Sequence, residues 1–286
     1  MAERSTILVT GATGRVGGQV VSQLRGTGVT VRALTRNPKA ASFPEDIDVV
    51  RGDLSDADTL DVALDGVDSV FLVFPTLQAD HAAPAVIKKI AQHARRIVYL
   101  SAAGVPDLQG EHVEGIIGSH AHVERLIKQS GMEWTFLRPS GFATNTLMWA
   151  DQIRAGNVVR WFHGRATRSL IHEHDIGAVA VCVLTEEDHG EARYHLTGPG
   201  QLTQIEQARA IGEAIGRPVR FEELAPGIAR QEFFDGVPAA LVDSILNAHA
   251  EMVNQPEPVT STVQDLTGAP ARTFYQWAID HASEFR

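Results

Sequence analysis

Apolar residues along this chain fall into short runs separated by stretches of helical spacing. Ile7-Leu8-Val9-Thr10 is a β-branched run that leads into a glycine-rich loop and then a helix-like stretch from Arg15 to Arg25. The alternation repeats with strands at Val29 to Thr35, Asp48 to Arg51, Ser69 to Phe74 and Arg96 to Ser101. Helices are predicted between them at Asp58 to Leu64 and Pro84 to Arg95. A further helix from Ser119 to Ser130 precedes a strand from Glu133 to Pro139.

Apolar strands alternating with helices predict a parallel sheet covered on both faces, because parallel crossovers lay helices over the sheet. The fold class is therefore α/β, a doubly wound Rossmann sheet. Beyond Pro139 the rhythm loosens: helical around Leu147 to Ala155, strand-like from Asn157 to Phe162, then a helix capped by Asp175 and running to Thr185. Tyr194 to Leu196 and Val219 to Leu224 read as strands, Thr203 caps a helix to about Ile215, and the last sixty residues are mainly helical. The division predicted is a Rossmann core over residues 1–140 and a smaller α+β region over 141–286 that completes the sheet and forms a substrate cleft. No internal repeat or low-complexity linker separates them.

Composition narrows the function classes. The 286 residues are 44% hydrophobic and 21% charged, as in an ordinary globular protein. A formal net charge of -10 without a Lys/Arg run argues against nucleic acid as partner. The single cysteine, Cys182, lies in the apolar run Val179 to Leu184 and reads as a buried small side chain. Met1 to Thr6 lead directly into a strand, without the features of a secretory signal, and no window approaches the roughly eighteen apolar residues of a membrane span. A cytoplasmic protein, monomeric or homodimeric, is the expectation.

Gly11, Gly14 and Gly17 stand between a strand and a helix, the context in which this glycine pattern binds a dinucleotide. Gly11 permits a tight turn, Gly14 a close approach of backbone to pyrophosphate, and Gly17 close packing of helix on strand; Thr13, Arg15 and Val16 complete the loop. The second strand ends in Thr35-Arg36 and not in the acid that accepts the ribose hydroxyls of NAD. Arg36, with Arg15, suits a 2′-phosphate, so NADP(H) is favoured over NAD(H). Asp53-Leu54, Phe74-Pro75 and Ser101-Ala102 follow further strands on the edge where ligands bind in such sheets.

With Gly11 to Gly17, Gly52-Asp53-Leu54, Leu100 to Gly104, Ser130 to Phe142, Asp175-Ile176-Gly177 and Thr267 to Phe274 in order, the chain resembles the NmrA-like branch of atypical short-chain dehydrogenases. That group includes sensor proteins, quinone reductases and fungal ergot-alkaloid reductases. The resemblance covers most of the chain and implies a Rossmann core with a smaller C-terminal region closing over a substrate. It also implies NADP(H) held by the glycine loop, Arg36 and the strand ends, Pro139 included.

Ordinary short-chain dehydrogenases use a Tyr and a Lys four residues later as proton donor. Here Tyr99, Tyr194 and Tyr275 are followed at that spacing by Ala103, Gly198 and Ile279. On the corresponding helix His120 and Glu124 share a face one turn apart, like the Lys or His followed by Glu found in this group. His120 is the candidate proton donor, with Glu124 holding its ring and Ser101 nearby. A plain surface pair or a cofactor contact is the competing account. Phe142, Trp149 and Trp161 are candidate walls for an apolar or aromatic small-molecule substrate. No metal site is predicted: His172-Glu173-His174-Asp175 has the wrong spacing for one helix face. The leading reading is a reductase passing hydride to a quinone, enone or imine. The alternative is a non-catalytic sensor of NADP(H) status, and a reductase for nucleotide-sugar or isoflavonoid-type substrates would lack its Tyr or Lys.

Overall fold

The structure, a computed structural model, describes residues 5–75, 79–107 and 115–286. Most of the N-terminal segment read for a leader, Met1 to Arg4, lies outside the described residues. In chain order the first elements are β1 (Thr6–Val9), α1 (Arg15–Leu24), β2 (Thr30–Thr35), β3 (Asp48–Arg51), α2 (Asp61–Leu64), β4 (Ser69–Leu72), α3 (Ala79–Ala91), β5 (Arg96–Leu100), α4 (Gly115–Gln129) and β6 (Glu133–Pro139). There follow α5 (Ala150–Gly156), β7 (Val158–Trp161), β8 (Thr167–Arg168), α6 (Glu173–Thr185), β9 (Ala192–Leu196), β10 (Leu202–Thr203), α7 (Gln204–Ile215) and β11 (Arg220–Glu223). The chain ends with α8 (Pro226–Phe233), α9 (Ala239–Glu251), α10 (Thr262–Thr267) and α11 (Phe274–Asp280).

Among the described residues the chain forms two compact units, one of residues up to Pro139 with Glu173–Leu196, the other of Ser140–His172 with Thr197–Arg286. A single cut at 140 differs from this division, because α6 and β9 belong to the first unit. Pairing explains the difference: β9 runs parallel to β6 from Thr135↔Ala192 to Pro139↔Leu196.

The first unit holds a parallel sheet in the order β3-β2-β1-β4-β5-β6-β9. Its central strands β4 and β5 are buried at every position, as strands covered on both faces must be. Helix α1 turns Val16, Val20, Val21 and Leu24 inward, one apolar stripe at helical spacing. Helix α6 packs on α1 so closely that a Cβ at Gly177 would lie 2.8 Å from the Gln19 Cβ.

Among the predicted boundaries that move, two have a clear physical reason. Helix α3 opens at Ala79 with Pro84 inside it, because Ala79 and Ala83 extend the buried stripe of Val86, Ile87 and Ile90 by one turn. That burial outweighs the one backbone hydrogen bond a proline removes. Asp175 does not cap α6 but lies within its first turn, buried, since the helix already begins at Glu173.

The second unit is built on an aromatic core in which Trp149, Trp161, Phe162, Phe274, Trp277 and Phe285 are buried. Its small sheets pair β11 with β7 in parallel and β10 with β8 antiparallel. Thr203 caps α7 in a reciprocal box with Glu206, as its sequence predicted, and a second box joins Thr273 to Gln276 at α11. The candidate walls Trp149 and Trp161 are core residues of this unit, 2% and 6% exposed. Trp161 stacks on Phe162 and Trp149 meets Phe221 edge-on, so aromatic packing accounts for both indoles. Phe142 is half-buried.

Candidate dinucleotide site and strand-end network

In this strand order the chain leaves β1 in one direction and crosses to β4 in the other, which opens a crevice at their carboxyl ends. Thr10 fastens that point: its hydroxyl accepts from the Val73 amide at 2.7 Å and donates to the Val73 carbonyl at 3.1 Å. The glycine loop follows directly. Gly11 has φ +59°, and the Gly14 amide donates to its carbonyl at 2.8 Å, making a tight turn. A Cβ on Gly17 would lie 2.2 Å from the Gly11 carbonyl oxygen, so only glycine lets α1 start this close to the strand.

Gly14 is the N-cap of α1 and supplies no capping side chain, and the first turn carries no acid. The amides and positive dipole end of the helix are thus left for an external anion. A groove of about 630 Å³ beside it is lined by Gly11 and Thr13 from the loop, Arg36 from the end of β2, Asp53 and Leu54 after β3, and Phe74 and Pro75 after β4. An adjoining groove of about 460 Å³ runs past Thr13 and Gly14 along α1. Val16 and Gly17 are buried beneath the loop and Arg15 is exposed. One Asp53 oxygen accepts from the Ser55 amide at 2.9 Å. Hydrogen bonds from Ser55, then the Arg36 charge, hold this carboxyl below its ordinary range, so it is ionised beside the guanidinium.

The candidate catalytic residues lie elsewhere in this unit, after β5 and on α4, and their partners differ from those predicted. Glu124 does not hold the His120 ring. Its carboxylate, 1% exposed, accepts from Arg138 Nε at 2.9 Å and Nη2 at 2.8 Å, and from the Ser101 hydroxyl at 2.7 Å. Arg138, on β6 and fully buried, also donates from Nη1 to Asp107 at 2.8 Å. A buried guanidinium requires a carboxylate more strongly than an imidazole does, which explains why Glu124 turns to Arg138. His120 instead meets the Tyr99 hydroxyl, 2.7 Å from its Nδ1. Burial pushes its pKa down to about 4 against a smaller upward pull from Glu124, so the ring is neutral at pH 7. Burial, with the Glu124 charge, raises the Tyr99 phenol, which keeps its proton. Ser101 is buried and Ala102 half-buried directly after β5, and Pro139 ends β6 buried.

Sequence reasoning missed Arg138, Thr10 and Tyr99. For Arg138 a signal existed: an arginine inside the apolar run Trp134 to Pro139 must have a buried anion. Thr10 and Tyr99 sit in apolar runs that carry no local sign of a polar partner.

A glycine cradle that a Cβ would fill, an uncapped helix start and an arginine beside the groove fit a dinucleotide, and they define a protein of the Rossmann dinucleotide-binding class. The chain belongs to the NAD(P)H-binding family, whose model matches residues 11–187. It is 38% identical over 283 residues to a (4-alkanoyl-5-oxo-2,5-dihydrofuran-3-yl)methyl phosphate reductase of Streptomyces griseus subsp. griseus, covering 98% of this chain and 99% of that one. To an NAD(P)H azoreductase of Xenophilus azovorans it is 34% identical, at 98% and 99% coverage. The structure is also similar to an NADPH-dependent quinone oxidoreductase of Escherichia coli solved with NADPH, with TM-score 0.78, 25% identity and coverage of 95% and 98%. This protein is an NAD(P)H-binding reductase of the NmrA-like, atypical short-chain dehydrogenase group. Among the described residues no helix is long and apolar enough to cross a membrane.

Proposed function

We propose that this chain is an NADPH-dependent reductase of small conjugated acceptors of the quinone, enone or imine type. The observation that carries the cofactor choice is Arg36, which lines the groove beside the glycine loop where an NAD-selective site carries an acid. Its guanidinium would face the 2′-phosphate, and the amides at the start of α1 would face the pyrophosphate. When bound, the reduced nicotinamide supplies the hydride.

The protein's part is placement. Ser101, tied to Glu124 and through it to Arg138, fixes the backbone that follows β5. In the tautomer that accepts the Tyr99 proton at Nδ1, His120 carries its ring proton on Nε2 and would offer a neutral hydrogen bond to a substrate oxygen. A neutral imidazole is a weak acid, which suits quinones and enones, whose added hydride leaves a resonance-stabilised anion that water protonates, and imines that enter already protonated and leave as neutral amines. The names of the relatives agree, since a dihydrofuranone phosphate, azo compounds and quinones are unsaturated acceptors.

The test is NADPH consumption against quinones, enones and imines, with NADPH and NADH titrations alongside. Turnover on one of these classes is the expected result, and Arg36→Ala should weaken NADPH about tenfold while leaving NADH unchanged. Tight NADPH binding with no turnover on any acceptor would replace this reading with that of a dinucleotide sensor.

A further inference from the structure

At the other end of the sheet from the glycine loop, α6 runs out and the chain turns back into β9. Cys182 lies in the last turn of α6 and Glu186 directly follows the helix, its amide donating to the Cys182 carbonyl at 2.9 Å. The turn that follows returns His189 over them. Two of its residues, Asp188 at φ +68° and Glu191 at φ +60°, adopt the left-handed conformation that non-glycine residues rarely take. Both ends of the turn are anchored: Arg96 donates to the Glu186 carbonyl at 2.9 Å and the Thr135 hydroxyl to the His189 carbonyl at 2.7 Å.

The His189 ring is oriented as well. Its Nδ1 meets the Tyr194 hydroxyl at 2.7 Å, which leaves Nε2 3.9 Å from a Glu186 carboxylate oxygen and 4.0 Å from the Cys182 sulfur. The three ligand atoms all lie within 4.8 Å of one another. Tetrahedral zinc holds sulfur at about 2.3 Å and nitrogen or oxygen at about 2.0–2.2 Å, which sets neighbouring ligands about 3.4–3.6 Å apart. A closure of about half an ångström, within the reach of side-chain rotation, would bring both separations at the imidazole to that spacing.

The geometry points to a zinc site formed by Cys182, Glu186 and His189, remote from the dinucleotide groove and clamping the end of α6 to the start of β9. Thiolate with imidazole selects a borderline-soft divalent ion over magnesium or calcium. Glu186 is exposed, so water takes the fourth position. Tyr194 does for His189 what outer partners commonly do for zinc-bound histidine, fixing the ring through its other nitrogen. Zinc takes sulfur as the thiolate, so binding forms the sulfur–zinc bond as the Cys182 S–H bond breaks, and the proton passes to solvent.

Full-length protein stripped with chelator should bind one Zn²⁺ with release of about one proton, and its melting temperature should rise. Co²⁺ in its place should give a sulfur-to-cobalt charge-transfer band and the visible bands of four-coordinate cobalt. Cys182→Ser should abolish the charge-transfer band, His189→Gln should weaken the ion about 100-fold, and Tyr194→Phe about tenfold. NADPH affinity should stay the same in all three, which separates this site from the reductase reading. If Cys182→Ser does not fold, loss of binding in Glu186→Gln, at an exposed position, serves the same purpose. A stoichiometric Co²⁺ titration without a charge-transfer band, or equal stabilisation by Zn²⁺ in wild type and Cys182→Ser, would overturn the proposal.

Discussion

Two arginines on neighbouring strands of the parallel sheet are almost wholly buried, Arg138 near the carboxyl end of β6 at 0% exposure and Arg96 at the amino end of β5 at 4%. Their surroundings differ. Arg138 makes a two-point contact with Glu124, itself 1% exposed, and sends only Nη1 to an exposed carboxylate, that of Asp107. Arg96 reaches outward to Glu133 at 2.9 Å and Glu187 at 3.1 Å, and to the Glu186 carbonyl, while its Nε is buried without a partner. Its carboxylate partners are 28% and 81% exposed. One arginine belongs to a closed network behind the strand-end loop; the other threads past the sheet to a solvated rim.

The largest effect should follow from opening the closed network. Arg138→Ala leaves the Glu124 carboxylate buried with only the Ser101 hydroxyl and, at 3.8 Å, the partly exposed Lys128 ammonium as partners, and removal of the main partner from such a buried pair costs about 3–5 kcal/mol. Urea unfolding measures the loss, which should be smaller in Glu124→Gln. Most of it should return in the Arg138→Met, Glu124→Leu double variant, where the charges left behind, on Asp107 and Lys128, reach solvent. A single-variant loss under about 1 kcal/mol would mean that water reaches Glu124 and that the two arginines are alike.

Arg96→Ala should cost less, about 1–2 kcal/mol, because Glu133 and Glu187 can return to water when the guanidinium is gone. The same unfolding experiment reads it. NADPH affinity should change less than twofold, since Arg96 sits at the end of the sheet opposite the glycine loop. A larger loss than in Arg138→Ala would reverse the comparison.

This contrast also shows what was legible in the sequence. The strand-helix alternation, the glycine loop and the Thr203 cap depend on residues close together in the chain, and all three have the form predicted. Partners across elements were not legible. The 141–286 region is read from the sequence as completing the sheet, and β9 lies in the sheet beside β6, but nothing near Tyr194 to Leu196 states which strand it will join. Helical spacing put His120 and Glu124 on one face, but it reports burial and not the partner, and Arg138 claims Glu124 from 14 residues away. Trp149 and Trp161 looked like cleft walls because aromatic content alone does not separate a packed core from a binding surface.

The network has a further consequence at His120, one turn before Glu124 on α4. Because the Glu124 charge is largely neutralised by Arg138, its pull on the imidazole is weaker than the effect of burial, and the ring stays near pKa 4. The unfolded chain, where histidine titrates near its ordinary 6.5, then binds more protons than the folded one across the interval between the two values. The stability associated with His120 is therefore present above about pH 6.5 and is lost as pH falls toward 4. From pH 7 to 5.5 that amounts to about 1 kcal/mol, the smallest of these effects. His249, in the second unit, is also pushed down to about 4 by burial and adds a loss of the same sign. Urea unfolding at the two pH values should thus show a slope that His120→Gln reduces but does not remove. In Arg138→Ala the unneutralised Glu124 should draw the His120 pKa upward, visible in the titration of its ring protons by NMR. A His120 ring that titrates near 6.5 in the wild type would show that water reaches α4 beside Glu124, and the closed network would then be no drier than the rim around Arg96.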